Sequence, residues 1–154
     1  MEDGAYIKDV NNVLGKFVGT WKGDYNNKNY EFKIIKYTVD NIGLKFKEDL
    51  LLIRYKIVEA NGKVLENTLD LANDSPYVIH GSYYDNRDGG YVLYYQGRAH
   101  KCGQNGDLFI STYGTNDTKL QLFLSVNGEM HSNLCPNGAA QQILPTISME
   151  LIKQ

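Results

Sequence analysis

His100, Cys102, His131 and Cys135 are the side chains in this sequence best suited to hold a soft metal or to form a covalent cross-link. A zinc set would use His-x-Cys and His-x-x-x-Cys spacings, which are not usual for zinc ligands. A disulfide between Cys102 and Cys135 would pin the long stretch after Val126 onto the rest of the chain, if folding occurs in an oxidising compartment. Two unconnected thiols are the third possibility, and spacing alone leaves all three open. The turn Asp85-Asn86-Arg87-Asp88-Gly89-Gly90 offers carboxylates on flexible backbone, as calcium requires. It lacks the ligand at every second position and the closing Glu of an EF-hand loop, so it reads as a hairpin turn. His80 falls on the strand face opposite Ile79 and reads as solvent-facing. No Ser, His and Asp group, no Cys with an orienting His, and no isolated inward pair of carboxylates stands out. We expect neither enzymatic activity nor a cofactor.

Binding chemistry is better represented than catalysis. Tyr83, Tyr84, Tyr91, Tyr94 and Tyr95 crowd one hairpin. Because side chains two apart in a strand share a face, Tyr83, Tyr91 and Tyr95 are expected inside, and Tyr84 and Tyr94 outside. Strand propensity and core packing account for such a set. The sharper reading is a cavity wall whose hydroxyls orient a mostly apolar ligand.

The elements that must position these residues are strands. Phe17, Gly19, Trp21, Gly23 and Tyr25 alternate onto one face, and the glycines there are expected to leave room for the only tryptophan in the chain. Asp9 to Lys16 has helical spacing at Val10, Val13, Leu14 and Phe17 and predicts a short helix or 3₁₀ turn covering one end of the sheet. Tyr30, Phe32 and Ile34 alternate, then Ile35, Tyr37 and Val39; this phase slip predicts a β-bulge. Leu51, Ile53, Tyr55 and Ile57 follow, and Asn61-Gly62 predicts a type I′ hairpin. Leu120, Leu122, Leu124 and Val126 form the cleanest inward set, and the last strand is expected over Ile147 to Lys153. The stretch Asn127 to Thr146 is too long for an ordinary connection and predicts a lid, with Ile143 and Leu144 available to face inward.

About nine strands at hairpin spacing, with little helix, predict an all-β, antiparallel up-and-down barrel of eight to ten strands, occupying residues 1–154 as one domain. The 154 residues suffice for a sizeable core without metal. Sixteen basic residues scattered among eighteen acids, for a formal charge of −2, form no basic stripe, which argues against a nucleic-acid partner. No apolar run approaches the roughly 20 residues of a membrane-spanning helix. The first residues lack signal-peptide character, so the chain is expected to be either cytoplasmic or a mature domain without its leader.

A short N-terminal helical turn, Gly19-x-Trp21 on the first long strand, a meander of hairpins and a cation in the final strand resemble the calycin superfamily, lipocalins in particular. The run from Tyr6-Ile7-Lys8-Asp9 through Phe17-Val18-Gly19-Thr20-Trp21, with Val58-Glu59-Ala60-Asn61-Gly62 and Asn67-Thr68-Leu69, is similar to a family of uncharacterised secreted bacterial lipocalin-like proteins. The resemblance implies a calycin-like barrel, a secreted or periplasmic setting with a cytoplasmic one as the alternative, and Lys153 packed over Trp21. It also implies non-enzymatic binding of a small apolar or amphipathic ligand in the barrel, which the strand face assignments are expected to line with Trp21, Tyr25, Tyr55, Tyr83, Leu93, Tyr95, Leu122 and Leu124. The alternative is a protein-interaction or inhibitor module whose barrel is filled with side chains.

Overall fold

The computed structural model describes residues 4–41 and 46–154. Among the described residues ten strands run in order: β1 (Ala5–Ile7), β2 (Gly19–Tyr25), β3 (Lys28–Asn41), β4 (Phe46–Glu59), β5 (Val64–Asn67), β6 (Ile79–Tyr84), β7 (Tyr91–Gln96), β8 (Asn105–Tyr113), β9 (Lys119–Val126) and β10 (Met149–Lys153). Eight of them, β2-β3-β4-β6-β7-β8-β9-β10, close an antiparallel up-and-down barrel of calycin-like form, each paired with its neighbour in sequence and β10 returning to β2. β1 adds to β4 in parallel below the barrel, and β5 pairs with the upper part of β4.

Closure is thinnest between β4 and β6, where only Leu52↔His80 and Ile53↔Ile79 pair. Side chains extend the seam. The Tyr91 hydroxyl accepts the Leu51 N–H at 3.1 Å below it, and above it Thr68 both donates its N–H to the Tyr55 carbonyl and accepts the Tyr55 N–H on its hydroxyl. Gly81 permits this arrangement, since a Cβ there would collide with the Tyr91 hydroxyl and the Leu51 backbone.

The alternating apolar residues point inward as the pleat requires. Trp21, Phe32, Ile34, Ile53, Ile57, Leu108, Leu120, Leu122 and Leu151 are buried in one core. Trp21 lies at its floor, and the indole N–H donates to the Phe17 carbonyl at 2.8 Å, so the buried donor is satisfied. Asp9 caps the incoming segment by accepting the Val13 and Leu14 N–H groups, and a single 3₁₀ turn follows at Gly15–Phe17.

Several expectations are corrected. β3 and β4 pair without a register shift along their whole length, so there is no bulge at Ile34-Ile35. The inward phase of β3 instead stops mattering below Ile34, where the β3–β4 ribbon outruns β2 and Ile35, Tyr37 and Val39 lie on its other face. The bulge lies in β6, between Gly81 and Tyr83, and it exchanges two tyrosines: Tyr83 is turned out and 55% exposed, while Tyr84, paired with Tyr91, packs against the core. The spaces over Gly19 and Gly23 are taken by the final strand, not the indole: the Lys153 side chain lies 3.2 Å from where a Gly19 Cβ would stand, and Glu150 and Leu151 crowd Gly23. Asn26 and Asn27 form the turn with two successive positive φ angles (51° and 60°), whereas at Asn61-Gly62 only the glycine is left-handed. Val126 is exposed, and Ile147 precedes β10 and is 68% exposed.

Candidate functional site

Three regions concentrate unusual chemistry: the barrel interior beneath its upper lid, the polar latch under its floor, and the outer wall of β6–β9. In the interior, Tyr30, Phe32 and Tyr55 form a ladder of rings with centroids 6.0 Å apart at each step. The phenols rise towards the upper end, where burial pushes Tyr30 and Tyr95 up to about 12 and Tyr55 further in the same direction. The Tyr30 hydroxyl donates to the Ile143 carbonyl at 2.8 Å, while the Tyr95 hydroxyl lies beside that of Tyr55 and makes no well-formed hydrogen bond.

The stretch 127–146 covers this end. Leu144 is buried in the core with Ile143 packed beside it, and the Leu124 N–H bonds the Pro145 carbonyl at 2.7 Å. Cys102 and Cys135 are joined in a disulfide, Cα atoms 5.6 Å apart, which fastens the lid to the loop before β8. Main-chain bonds from Ala140 to Cys102 and from His131 to Lys101, with Gln104 and Gln142 side chains donating to Gln141 and Gly103 carbonyls, complete the attachment. The bridge consumes both thiols, so the zinc set does not form. Glu66 and Arg98 join β5 to the turn after β7 at 3.1 Å, and the Arg98 guanidinium lies 4.0 Å over the Tyr77 ring.

The sequence-predicted lining is partly assembled. Trp21, Tyr55, Leu93, Tyr95, Leu122 and Leu124 meet inside the barrel, Tyr25 is half-buried at the rim, and Tyr83 is outside. Trp21, Leu93, Tyr95 and Leu122 have no water-accessible surface, and Tyr55 and Leu124 keep 1%. A void wide enough for a small-molecule ligand would leave these side chains measurable surface, so the space beside them is closely packed.

Under the floor, two carboxylates organise the N-terminal segment. Asp49 accepts the Tyr6 hydroxyl at 2.5 Å, the Thr38 hydroxyl at 2.7 Å and the Asp9 N–H at 3.0 Å. Asp9 takes Lys36 Nζ at 3.2 Å in addition to its two main-chain donors. Burial alone would raise both carboxyls, but these donors together with Lys36 hold them below the ordinary range. A cleft of about 340 Å³ opens beside the latch, between Val10, Val13 and Leu14, the β4 residues Glu48 to Leu50, and Tyr83, Tyr84 and Tyr91.

On the outer wall, strand register aligns Tyr83↔Val92↔Phe109↔Phe123 in one row across β6, β7, β8 and β9. Phe109 and Phe123 stack with centroids 5.1 Å apart, and Tyr83, Tyr94 and Phe123 are exposed. A groove of about 320 Å³ runs along Val92, Phe109 and Phe123, bordered by Asp85, Asp88, Ser111 and Gln121, while Tyr83 lines the cleft beside the latch. Asp107, opposite Tyr94, flanks it on the other side. In the Asp85 turn the carboxylate holds Arg87 at 3.0 Å and Asp88 accepts the Gly90 N–H, the contacts of a hairpin. His80 holds the Asn73 carbonyl at 2.8 Å.

Sequence reasoning missed this row and the Asp9–Asp49 latch. Phe109 and Phe123 carry a local signal, each standing at an outward position between two inward aliphatic residues, but their alignment with Tyr83 needs the pairing of four strands. Compared with protein-family models, with curated protein sequences and with solved structures, the chain gives no significant match.

Proposed function

We propose that this is a non-enzymatic interaction module that binds a protein partner through the outer wall of β6–β9 and uses its barrel as a rigid filled scaffold. The observation that carries this reading is the pairing of a closely packed interior and an outer row in which Tyr83 and Phe123 are turned to solvent and Phe109 is half-buried between them. Tyr83, Phe109 and Phe123 supply the kind of broad, rigid contact on which protein interfaces concentrate their energy. The carboxylates of Asp88 and Asp107 beside the row favour a partner with a basic rim. The Cys102–Cys135 bridge favours a site of action outside the cytoplasm.

The test uses the protein as bait in extracellular fluid of its source cells. A partner retained by the wild type and lost with a Phe109→Ser and Phe123→Ser variant of unchanged melting temperature supports the reading. Retention by both chains sinks it.

A second reading keeps the small apolar ligand inside the barrel, bound when the lid lifts. The Tyr95 hydroxyl, buried beside Tyr55 without a well-formed hydrogen bond, favours it, because such a phenol is an available anchor for a ligand oxygen or nitrogen. Fatty acids, retinoids, haem and quinones titrated against Trp21 emission discriminate: a saturable change supports the ligand, and an unchanged spectrum and melting temperature leave the interaction module.

A further inference from the structure

The lower half of β3 has an open edge. β2 pairs with β3 only from Lys28 to Ile34, and among the described residues no strand continues beside β3 over residues 35–41 on that side. The direction of the backbone groups there follows from the ladder. The Gln154 N–H bonds the Thr20 carbonyl, so Thr20, Lys22 and Asp24 turn their main-chain groups to β10, and Gly19, Trp21, Gly23 and Tyr25 turn theirs to β3. Their partners Ile34, Phe32, Tyr30 and Lys28 therefore face β2. The β3–β4 register continues unbroken, so the same alternation carries on to Lys36, Thr38 and Asp40. The bond from Thr68 to the Tyr55 carbonyl, on the far side of β4, fits the same phase. Three N–H and three C=O groups thus line an edge with no strand against it.

We infer that two copies of this chain pair through this edge, β3 against β3, antiparallel about a two-fold axis at Thr38. In that register Thr38 faces Thr38 of the second copy, Lys36 faces Asp40, and Asp40 faces Lys36. All six outward main-chain groups bond, and no other antiparallel register of these residues uses all of them. The side chains agree with the backbone. The two cross-strand Lys–Asp pairs join opposite charges, and on the other face Tyr37, 37% exposed, meets Val39 twice in the closer, non-hydrogen-bonded positions. Charged residues on an edge ordinarily repel foreign strands. Here their signs and their spacing about Thr38 make a copy of the same strand the complementary one. Lys36 stays beside Asp9, 3.2 Å away, and stands between that carboxylate and Asp40 of the second copy. This pairing involves neither the β6–β9 wall nor the barrel interior, so it stands apart from the proposed function.

Sedimentation of the full chain from about 1 µM to about 1 mM, the span of weak specific association, reads the result. A concentration-dependent dimer is expected. Asp40→Lys alone and Lys36→Glu alone each set like charges opposite one another and lose it, whereas an equimolar mixture of the two variants restores opposite pairs and dimerises. Amide exchange on the wild type supplies a measurement free of substitutions: the Lys36, Thr38 and Asp40 N–H groups gain roughly tenfold or more protection with concentration, and the Tyr37 N–H, already bonded to β4, does not. A monomer throughout the range, a dimer that survives Asp40→Lys, or concentration-independent exchange at those three amides overturns the inference.

Discussion

Lys153 of the last strand lies over Trp21 of the first long strand, its ammonium 5.4 Å from the ring, and the two residues are register partners across β10 and β2. Gly19, with φ of 140°, leaves the space through which the Lys153 stem passes. The cation covers Trp21 at the floor of the barrel, where the indole N–H bonds the Phe17 carbonyl of the N-terminal 3₁₀ turn. Lys153→Ala should lower stability by about 0.5 to 2 kcal/mol with the fold retained. A double-mutant cycle with Trp21→Phe, followed by urea denaturation, should show coupling between the two sites; additive losses would remove the interaction.

The disulfide makes a separate contribution. Closing the 33-residue separation between Cys102 and Cys135 should stabilise the protein by about 3 to 4 kcal/mol on the chain-entropy account, an upper figure because the lid also has its own hydrogen bonds. Serine at both positions should lower the denaturant midpoint accordingly. Thiol titration of the unfolded protein should find no free thiol before reduction and two after it.

The filled interior predicts the outcome of enlarging a core side chain. Leu122→Trp should destabilise by about 1 to 3 kcal/mol through overpacking, and Leu122→Ala should cost about 2 to 5 kcal/mol by leaving a cavity. Chemical denaturation measures both. If Leu122→Trp is neutral or stabilising, the barrel holds spare volume and the ligand reading gains.

The latch predicts a pH dependence with a defined sign. Asp9 and Asp49 both titrate below the ordinary aspartate value of 3.8 in the folded protein. A depressed carboxyl stabilises the fold fully at pH above the unfolded-state value, and this contribution disappears as pH falls through the lower folded-state value. Melting temperature should therefore drop as pH falls from the unfolded-state value through the lower folded-state one. Asp49→Asn should be less stable at neutral pH and show a shallower acid slope; an identical slope in both proteins would exclude Asp49 as a contributor.

Much of the barrel was legible along the chain because strand alternation is local. Leu120, Leu122 and Leu124 point inward whatever they pair with, and the same holds for Phe32 and Ile34 opposite Tyr55 and Ile53. The lid could be read from its length and from Ile143 and Leu144. The outer row could not, since Phe109 and Phe123 are ordinary outward residues until β7, β8 and β9 are set side by side.

By itself the sequence determined the faces of most strands, the inward position of Trp21 and the N-terminal turn capped by Asp9. These follow from two-residue periodicity and short-range chemistry, which act within a few residues. Tertiary structure decided the rest. The β6 bulge turned Tyr83 out and Tyr84 in because β6 had to meet β7 and the Tyr91 hydroxyl had to reach Leu51. Cys102 and Cys135 became a bridge because the lid and the loop before β8 converge. The interior packed closely because side chains from eight strands meet in one core. Register, approach and volume depend on partners far apart along the chain, and no local pattern carries them.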